Sequence, residues 1–420
     1  MNVTIHPRRL CGAITPPPSK SQAHRLILAA ALAEGESTLS NVAFSQDILA
    51  TLSCMEQLGA RWEKLDEGAI RVTGLSAGKP ALHGDGLPHF DCGESGSTLR
   101  FLIPVALAAA GGGVFTGRGR LMERPQKPYF DLFAEKGIAW SQEGGVLTVR
   151  GALTAGEYAL PGNVSSQFFT GLLYALPLLE GASCVRSTTA LESRSYIDMT
   201  LDALARCGVS VGEETRGGRP AFVLTGPQRY RAADCAVEAD WSQAAFYYAM
   251  RGVGCDLSIE GMNEASVQGD RKIAAYDCIL REEGEAVLNV ADCPDLVPPL
   301  AAYAALRGTG RMTRIVNAGR LRIKESDRLA AVTEVLNALG AQVEELPEGL
   351  VIRGADTLAG GAAVDAHNDH RIAMMAAAAA VRCARPVTIL GAECVRKSYP
   401  NFWDDYARLG GQIEREESEP

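Results

Sequence analysis

The residues of this chain best suited to chemistry are cations set beside hydroxyls, with a few carboxylates among them. Pro16 to Arg25 place Lys20, Ser21 and Arg25 on the opening turns of an apolar segment that runs through Leu26, Ile27 and Leu28 to Ala33 and stops at Gly35. The prolines cannot continue a helix, and Ser19 or Ser21 can cap one. Free N–H groups, the positive end of the helix dipole and two cationic side chains would then converge, which is an anion site. A capped surface helix with two solvated cations accounts for this segment equally well, so the remaining segments must decide. They are Gly93-Glu94-Ser95-Gly96-Ser97 with Arg100, Glu123-Arg124-Pro125, Ser165-Ser166-Gln167, the run Arg320 to Arg328, Asp369-His370-Arg371 and Arg396-Lys397-Ser398-Tyr399-Pro400.

Together these segments set Lys20, Arg25, Arg100, Arg124, Lys324, Arg328, Arg371 and Lys397 against Asp295 and Glu325. That balance suits a ligand with several phosphate and carboxylate groups, because a charge pair at 4 Å contributes about 4 kcal/mol at an effective dielectric of 20. Arginine forks hold such groups bidentately. Two carboxylates among cations are what proton transfer requires, since burial and neighbouring charges tune them in opposite directions. A helix over Ser326 to Gly340 is expected, with Glu325 and Arg328 on its first turn. No Walker lysine motif, dinucleotide glycine fingerprint or Ser-His-Asp signature stands in a fitting context.

The elements that must position these groups repeat along the chain. Six times a helix-like stretch ends at a glycine and runs into an apolar, alternating segment, at Gly59, Gly137, Gly208, Gly284, Gly340 and Gly410. Several then turn into a second strand, as at Ala69 to Val72, Val146 to Val149 and Leu350 to Arg353, so each unit is expected to end in a hairpin. Each also carries an earlier helix with a polar start, at Lys20, Gly93, Ser165, Asp240, Pro294 and Asp369. Bodies such as Phe168 to Leu179 and Ile372 to Val381 are apolar nearly all round, the mark of helices buried inside a domain. Two groups of three repeats predict two lobes: residues 20–225, and residues 1–15 with 229–420, joined by hinge links near 16–19 and 226–228. The short strand Asn2 to Ile5 would then pair with the carboxy-terminal half.

Composition narrows the partners. With 420 residues, 47% hydrophobic and a net charge of -9, the chain is an ordinary globular protein, too long for one core and too acidic and poor in aromatics for a nucleic-acid surface. Neither a signal pattern nor a membrane-spanning run is evident, so a soluble cytoplasmic protein is expected. The 11 cysteines show no Cys-x-x-Cys pair and fit free thiols. His367 and His370 could share a helix face, but no second ligand pair stands at metal spacing, and neither metal nor other cofactor is expected.

On the motifs Pro18-Ser19-Lys20-Ser21 with Arg25, Gly93-x-Ser95-Gly96-Ser97-x-x-Arg100, Glu123-Arg124-Pro125, Ser165-Ser166-Gln167, Lys324-Glu325-Ser326-Asp327-Arg328, Asp369-His370-Arg371 and Arg396 to Pro400, the chain resembles the 5-enolpyruvylshikimate-3-phosphate synthase family. The match runs in family order from about residue 4 to residue 406. The resemblance implies a two-lobed inside-out α/β barrel, each lobe of three βαβαββ units, and domain closure. It implies transfer of the enolpyruvyl group of phosphoenolpyruvate to the 5-hydroxyl of shikimate 3-phosphate, with release of phosphate, in aromatic amino-acid and chorismate biosynthesis. By position, Lys20, Ser21, Arg25, Ser165, Ser166, Gln167, Ser193, Tyr196, Asp295 and Lys324 would hold shikimate 3-phosphate. Lys20, Gly96, Arg124, Gln167, Arg328, Arg371 and Lys397 would hold phosphoenolpyruvate, and glyphosate would occupy the same place. Asp295, Glu325, Lys20 and Lys397 would carry the catalysis, in a monomer.

The chain departs from that pattern at Glu94, where the family usually has Asn, at Phe101 where many members have Pro, and at Arg320 in place of a common Asn. Two other readings share the scaffold: UDP-N-acetylglucosamine enolpyruvyl transferase, and a non-catalytic anion-binding protein. The former usually shows Lys-Asn where Lys20-Ser21 stands, and a reactive cysteine in the loop that here spans Thr116 to Arg124 without one. Asp295 and Glu325 oppose the latter, because anion binding alone is better served by neutral residues.

Overall fold

The computed structural model describes residues 1–75 and 78–417. Its contacts divide the chain into two units, Pro18–Glu238, and Met1–Pro17 with everything from Ala239 onward. The second crossing thus lies about ten residues beyond the Gly226-Pro227 link that the sequence suggests. The reason is local: Cys235–Ala236 runs parallel to Glu36–Ser40, and Arg231 N donates to Cys207 O, which ties this stretch to the Pro18–Glu238 unit.

The protein is mixed α/β, built from repeated four-stranded sheets. One sheet shows the rule. His89–Asp91 leads through the helix Gly96–Ala110 to the parallel strand Gly112–Thr116, and the hairpin Ala139–Glu143 and Val146–Arg150 then completes the sheet antiparallel. The helix is needed because parallel strands require a long crossover. Glu157–Leu160, Gly181–Ser187, Arg219–Gly226 and Gly212–Arg216 repeat this order, as do Glu285–Asn289, Met312–Val316, Gly349–Arg353 and Gln342–Leu346. In a further copy the chain's first strand, Asn2–His6, takes the third place, between Val387–Leu390 and Gln412–Glu416.

All six glycines at the helix ends adopt positive φ, the left-handed conformation that a side chain resists. One expectation fails. The stretch at Gly284 enters Glu285–Asn289, which pairs parallel with Met312–Val316 as the opening strand of the next repeat, so that unit ends in no hairpin. Its own strands are reduced to the pair Cys11–Ile14 and Asp256–Ile259.

Within each unit the core is helical at its centre. In the first, residues 22–32 of the helix Lys20–Leu32 are all buried, and the helices Gly96–Ala110 and Ser166–Ala175 cross closely beside it. In the second, every residue of the helices Val297–Ala305 and His370–Ala380 is buried. All eleven cysteines are free thiols. Among the described residues no helix is long and apolar enough to cross a membrane.

The close crossing depends on Gly171, where an added Cβ would lie 2.4 Å from Tyr129 Oη and 2.5 Å from Arg100 O. Gly171→Ala is therefore expected to cost about 1–3 kcal/mol through overpacking, read as an earlier denaturant midpoint. An unchanged midpoint would mean that the helices shift apart freely.

Candidate active site

In the Pro18–Glu238 unit the site begins at three capped helix starts. Ser19 Oγ accepts from Gln22 N, Ser95 Oγ from Thr98 N and Ser165 Oγ from Gln167 N, so each hydroxyl satisfies a donor that the helix leaves open. Lys20 then reaches Asp47 Oδ2 at 2.6 Å, an acid on the first turn of the helix Gln46–Gln57 that the sequence did not single out. Arg25 is fully buried and, among the described residues, forms no ion pair. Its guanidinium donates to Ser21 O at 2.7 Å and Thr200 Oγ1 at 2.9 Å, and lies 5.1 Å from the centre of the Phe101 ring and 5.9 Å from that of Tyr196. Burial pulls it down to about 10, against the partial support of Tyr174 and Tyr196. An arginine held only by hydroxyl, carbonyl and π faces still lacks the anion it suits. Phe101, a departure from the family pattern, supplies one of those faces.

The other predicted residues of this unit are joined through Arg100. Its Nη1 donates to Gln167 Oε1 at 2.8 Å and its Nη2 to Pro125 O at 3.0 Å, while Gln167 Nε2 donates to Ser97 Oγ at 3.1 Å. One guanidinium therefore fixes the Gln167 amide and the turn that carries Arg124. Arg124 packs on the start of the Gly96 helix so closely that a Cβ at Gly96 would lie 2.8 Å from its Nη1. Ser193 takes φ 54° just before the helix Arg194–Arg206, on which Tyr196 sits. Ser166 is buried, and Glu94 is half-buried in the turn before Gly96.

In the other unit the geometry centres on Arg328, which is 1% exposed. Its guanidinium donates to Asp295 Oδ1 at 2.8 Å, to Glu325 Oε2 at 2.6 Å and to Asp369 Oδ2 at 2.7 Å. Arg371 Nη2 meets the other Asp295 oxygen at 3.0 Å, and Lys324 Nζ lies 3.9 Å from Oδ1. Burial alone would raise the Asp295 carboxyl, yet Arg371, Lys324 and Arg328 outweigh it and hold the group far below the usual carboxylate range. Burial would likewise lower Arg328, but Asp369, Glu325 and Asp295 raise it. Lys397, buried in the turn Ala392–Lys397, donates to Asn368 O at 2.7 Å.

Two expectations are corrected here. The helix runs Arg328–Ala338, capped by Asp327, so Glu325 stands before it and not on its first turn. His367 lies outside its expected helix, at φ 51°, because Asp369 caps the helix His370–Ala380. Among the described residues no group of three or more His, Cys, Asp or Glu is placed to hold a metal ion. Asp47, which the sequence did not single out, and Asp369, named there within the Asp369-His370-Arg371 motif, are set against Lys20 and Arg328 only by folding. Arg320 donates to Ala291 O, a backbone contact outside the ion-pair cluster.

The chain is a mixed α/β repeat protein whose buried helix starts gather arginines, lysines and a few carboxylates. The particular family follows from comparison. The profile of EPSP synthase (3-phosphoshikimate 1-carboxyvinyltransferase) matches residues 5–406. The 3-phosphoshikimate 1-carboxyvinyltransferases of Clostridium kluyveri and Clostridium acetobutylicum are 44% and 45% identical, each over 98% of both chains. A solved EPSP synthase from Acinetobacter baumannii superposes with a TM-score of 0.78 at 25% identity, covering 99% of this chain and all of that one. The chain belongs to the EPSP synthase family, and its activity is 3-phosphoshikimate 1-carboxyvinyl transfer, a step of the shikimate pathway.

One buried acid near this cluster gives a pH test. Burial and the charge of Asp295 push Asp270 from 3.8 to about 7, although Ser242 Oγ donates to it and Arg371 favours its charge. The folded state then binds more protons than the unfolded one, so stability falls as pH rises from about 4 to about 7. Asp270→Asn should flatten that decline in denaturation midpoints measured across this range; an unaltered slope would remove Asp270 as its cause.

Proposed function

We propose that the predicted residues divide the reaction as follows. Lys20, Ser21, Arg25, Ser165, Ser166, Gln167, Ser193, Tyr196, Asp295 and Lys324 bind shikimate 3-phosphate, Arg25 supplying the buried cation that lacks an acidic partner. Lys20, Gly96, Arg124, Gln167, Arg328, Arg371 and Lys397 bind phosphoenolpyruvate through its phosphate and carboxylate. The helices buried nearly all round support the further reading that each unit closes as an inside-out α/β barrel. We place the protein in the cytoplasm as a monomer, with glyphosate as an occupant of the donor site.

The observation that carries the mechanism is one guanidinium shared by two carboxylates, Arg328 with Asp295 and Glu325 at 2.8 and 2.6 Å. In that state Asp295 is held as an anion and is a weak base. A donor bearing phosphate and carboxylate changes this. Its negative charge competes for Arg328, Arg371 and Lys324 and repels both acids, so their proton affinities rise. Glu325, protonated from solvent as the donor binds, delivers that proton to C3 of the enol while the 5-hydroxyl attacks C2 and passes its proton to Asp295. The tetrahedral intermediate collapses when Glu325 takes back a methyl proton and the C2–O bond to phosphate breaks. The proton held by Asp295 goes to the leaving phosphate, which Lys20 or Lys397 stabilises.

Phosphate release from phosphoenolpyruvate is expected with shikimate 3-phosphate and not with UDP-N-acetylglucosamine; the reverse pattern would defeat the acceptor assignment. Glu325→Gln should lower kcat by about 10²–10⁴-fold with a smaller change in KM. Near-full turnover in that variant would remove Glu325 from proton transfer.

A further inference from the structure

The helices of the second unit that present the reactive cluster at their starts have a second charged feature at their far ends. A cavity of about 580 Å³ opens there, lined by Arg281, Arg307, Arg311 and Arg382 against Glu283 and Asp356. Arg281 ends the helix Ile273–Arg281, Arg307 follows Val297–Ala305 and Arg382 follows His370–Ala380. Nine to eleven helical residues separate these ends from Asp295 and Arg371, about 14–17 Å at 1.5 Å per residue, so the cavity is distinct from the reactive cluster.

Part of this charge has a structural task. Arg307, 6% exposed, donates to the carbonyls of Leu280, Glu282 and Met312 and to Thr313 Oγ1, and so satisfies helix-end and loop oxygens. Arg281 is held by Asp277, its Nε and Nη2 donating to the two carboxylate oxygens at 3.1 Å, whereas Arg382 and Arg311 are less committed. The Arg382 side chain makes a single hydrogen bond among the described residues, to Val253 O at 3.1 Å, and no ion pair. Arg311 is held only at the limit of contact, 3.5 Å from Arg281 O and 3.6 Å from Glu283. Neither acid offsets them fully. Asp356 turns both oxygens to Thr309, and Glu283 is 92% exposed. The excess registers on Arg307, which burial and then the charge of Arg311 pull below the ordinary arginine value.

Gly308 and Gly310, both at positive φ, fold the loop that presents Arg307 and Arg311, and Gly252 lets the end of its helix approach the Tyr303 ring, where a Cβ would sit 2.1 Å away. Tyr303, Leu280 and Leu306 are buried beneath the guanidinium groups and form the floor of the cavity. We propose that this cavity is a second anion site, for a small phosphate-bearing metabolite whose phosphate is taken by Arg311 and Arg382. Planar guanidinium forks on separate elements suit phosphate oxygens.

Inorganic pyrophosphate, titrated calorimetrically into the full chain, is the probe. Two equivalents should bind the unaltered protein, one at the reactive cluster and one here. The double variant Arg311→Gln with Arg382→Gln should bind one and keep its turnover, since neither residue belongs to the catalytic set. Glu283→Gln removes an exposed like charge without touching the core and should tighten the second equivalent about threefold. One equivalent in the unaltered protein, two in the double variant, or unchanged affinity in Glu283→Gln would each overturn the site.

Discussion

A buried guanidinium must be answered by oxygen atoms or by a π face, and this requirement shapes both units. Desolvating a cation costs several kcal/mol unless partners replace the lost water. Arg328 and Arg25 meet that demand in opposite ways. Arg328 gathers three carboxylates, from Asp295, Glu325 and Asp369, and so links the turn before one buried helix, the start of another and the cap of a third. Arg25 takes only hydroxyl, carbonyl and ring partners, and stays short of negative charge. The first arrangement sets one cation among three carboxylates; the second leaves a buried cation without a carboxylate partner among the described residues.

The same economy runs through the helix starts. Ser95, Ser165 and Asp369 cap helices, and beside these caps stand groups to which we assign substrate binding: Arg124 against Gly96, Gln167 beside Arg100, and Arg371 on Asp295. Because a helix buried on all sides cannot expose its first N–H groups to water, its start is capped or reserved for an anion. Stability and function therefore use the same atoms. Asp369 shows it most clearly, since it caps its helix with one oxygen and holds Arg328 and Ser326 with the other.

Much of the fold was legible because its signals are local. A glycine that must take positive φ and an apolar stretch too uniform for a surface helix are properties of a few consecutive residues, so the repeats could be found before any contact was known. The repeat at Gly284 was misread for a related reason: glycine marks the end of a helix but not the direction in which the next strand pairs. The start of the Arg328 helix was misplaced because Ser326 and Asp327 are both competent caps, and the choice falls to Asp327 once Ser326 is drawn to Asp369.

By itself, the sequence determined the repeat architecture, the inventory of cations and the two acids Asp295 and Glu325, because side-chain chemistry and helix-end signals are written residue by residue. Only the tertiary structure decided which acid answers which cation. Lys20 finds Asp47, and Arg328 finds Asp369, across separations of 27 and 41 residues. Charge pairing depends on distance and burial, and neither exists until separate helices are packed together.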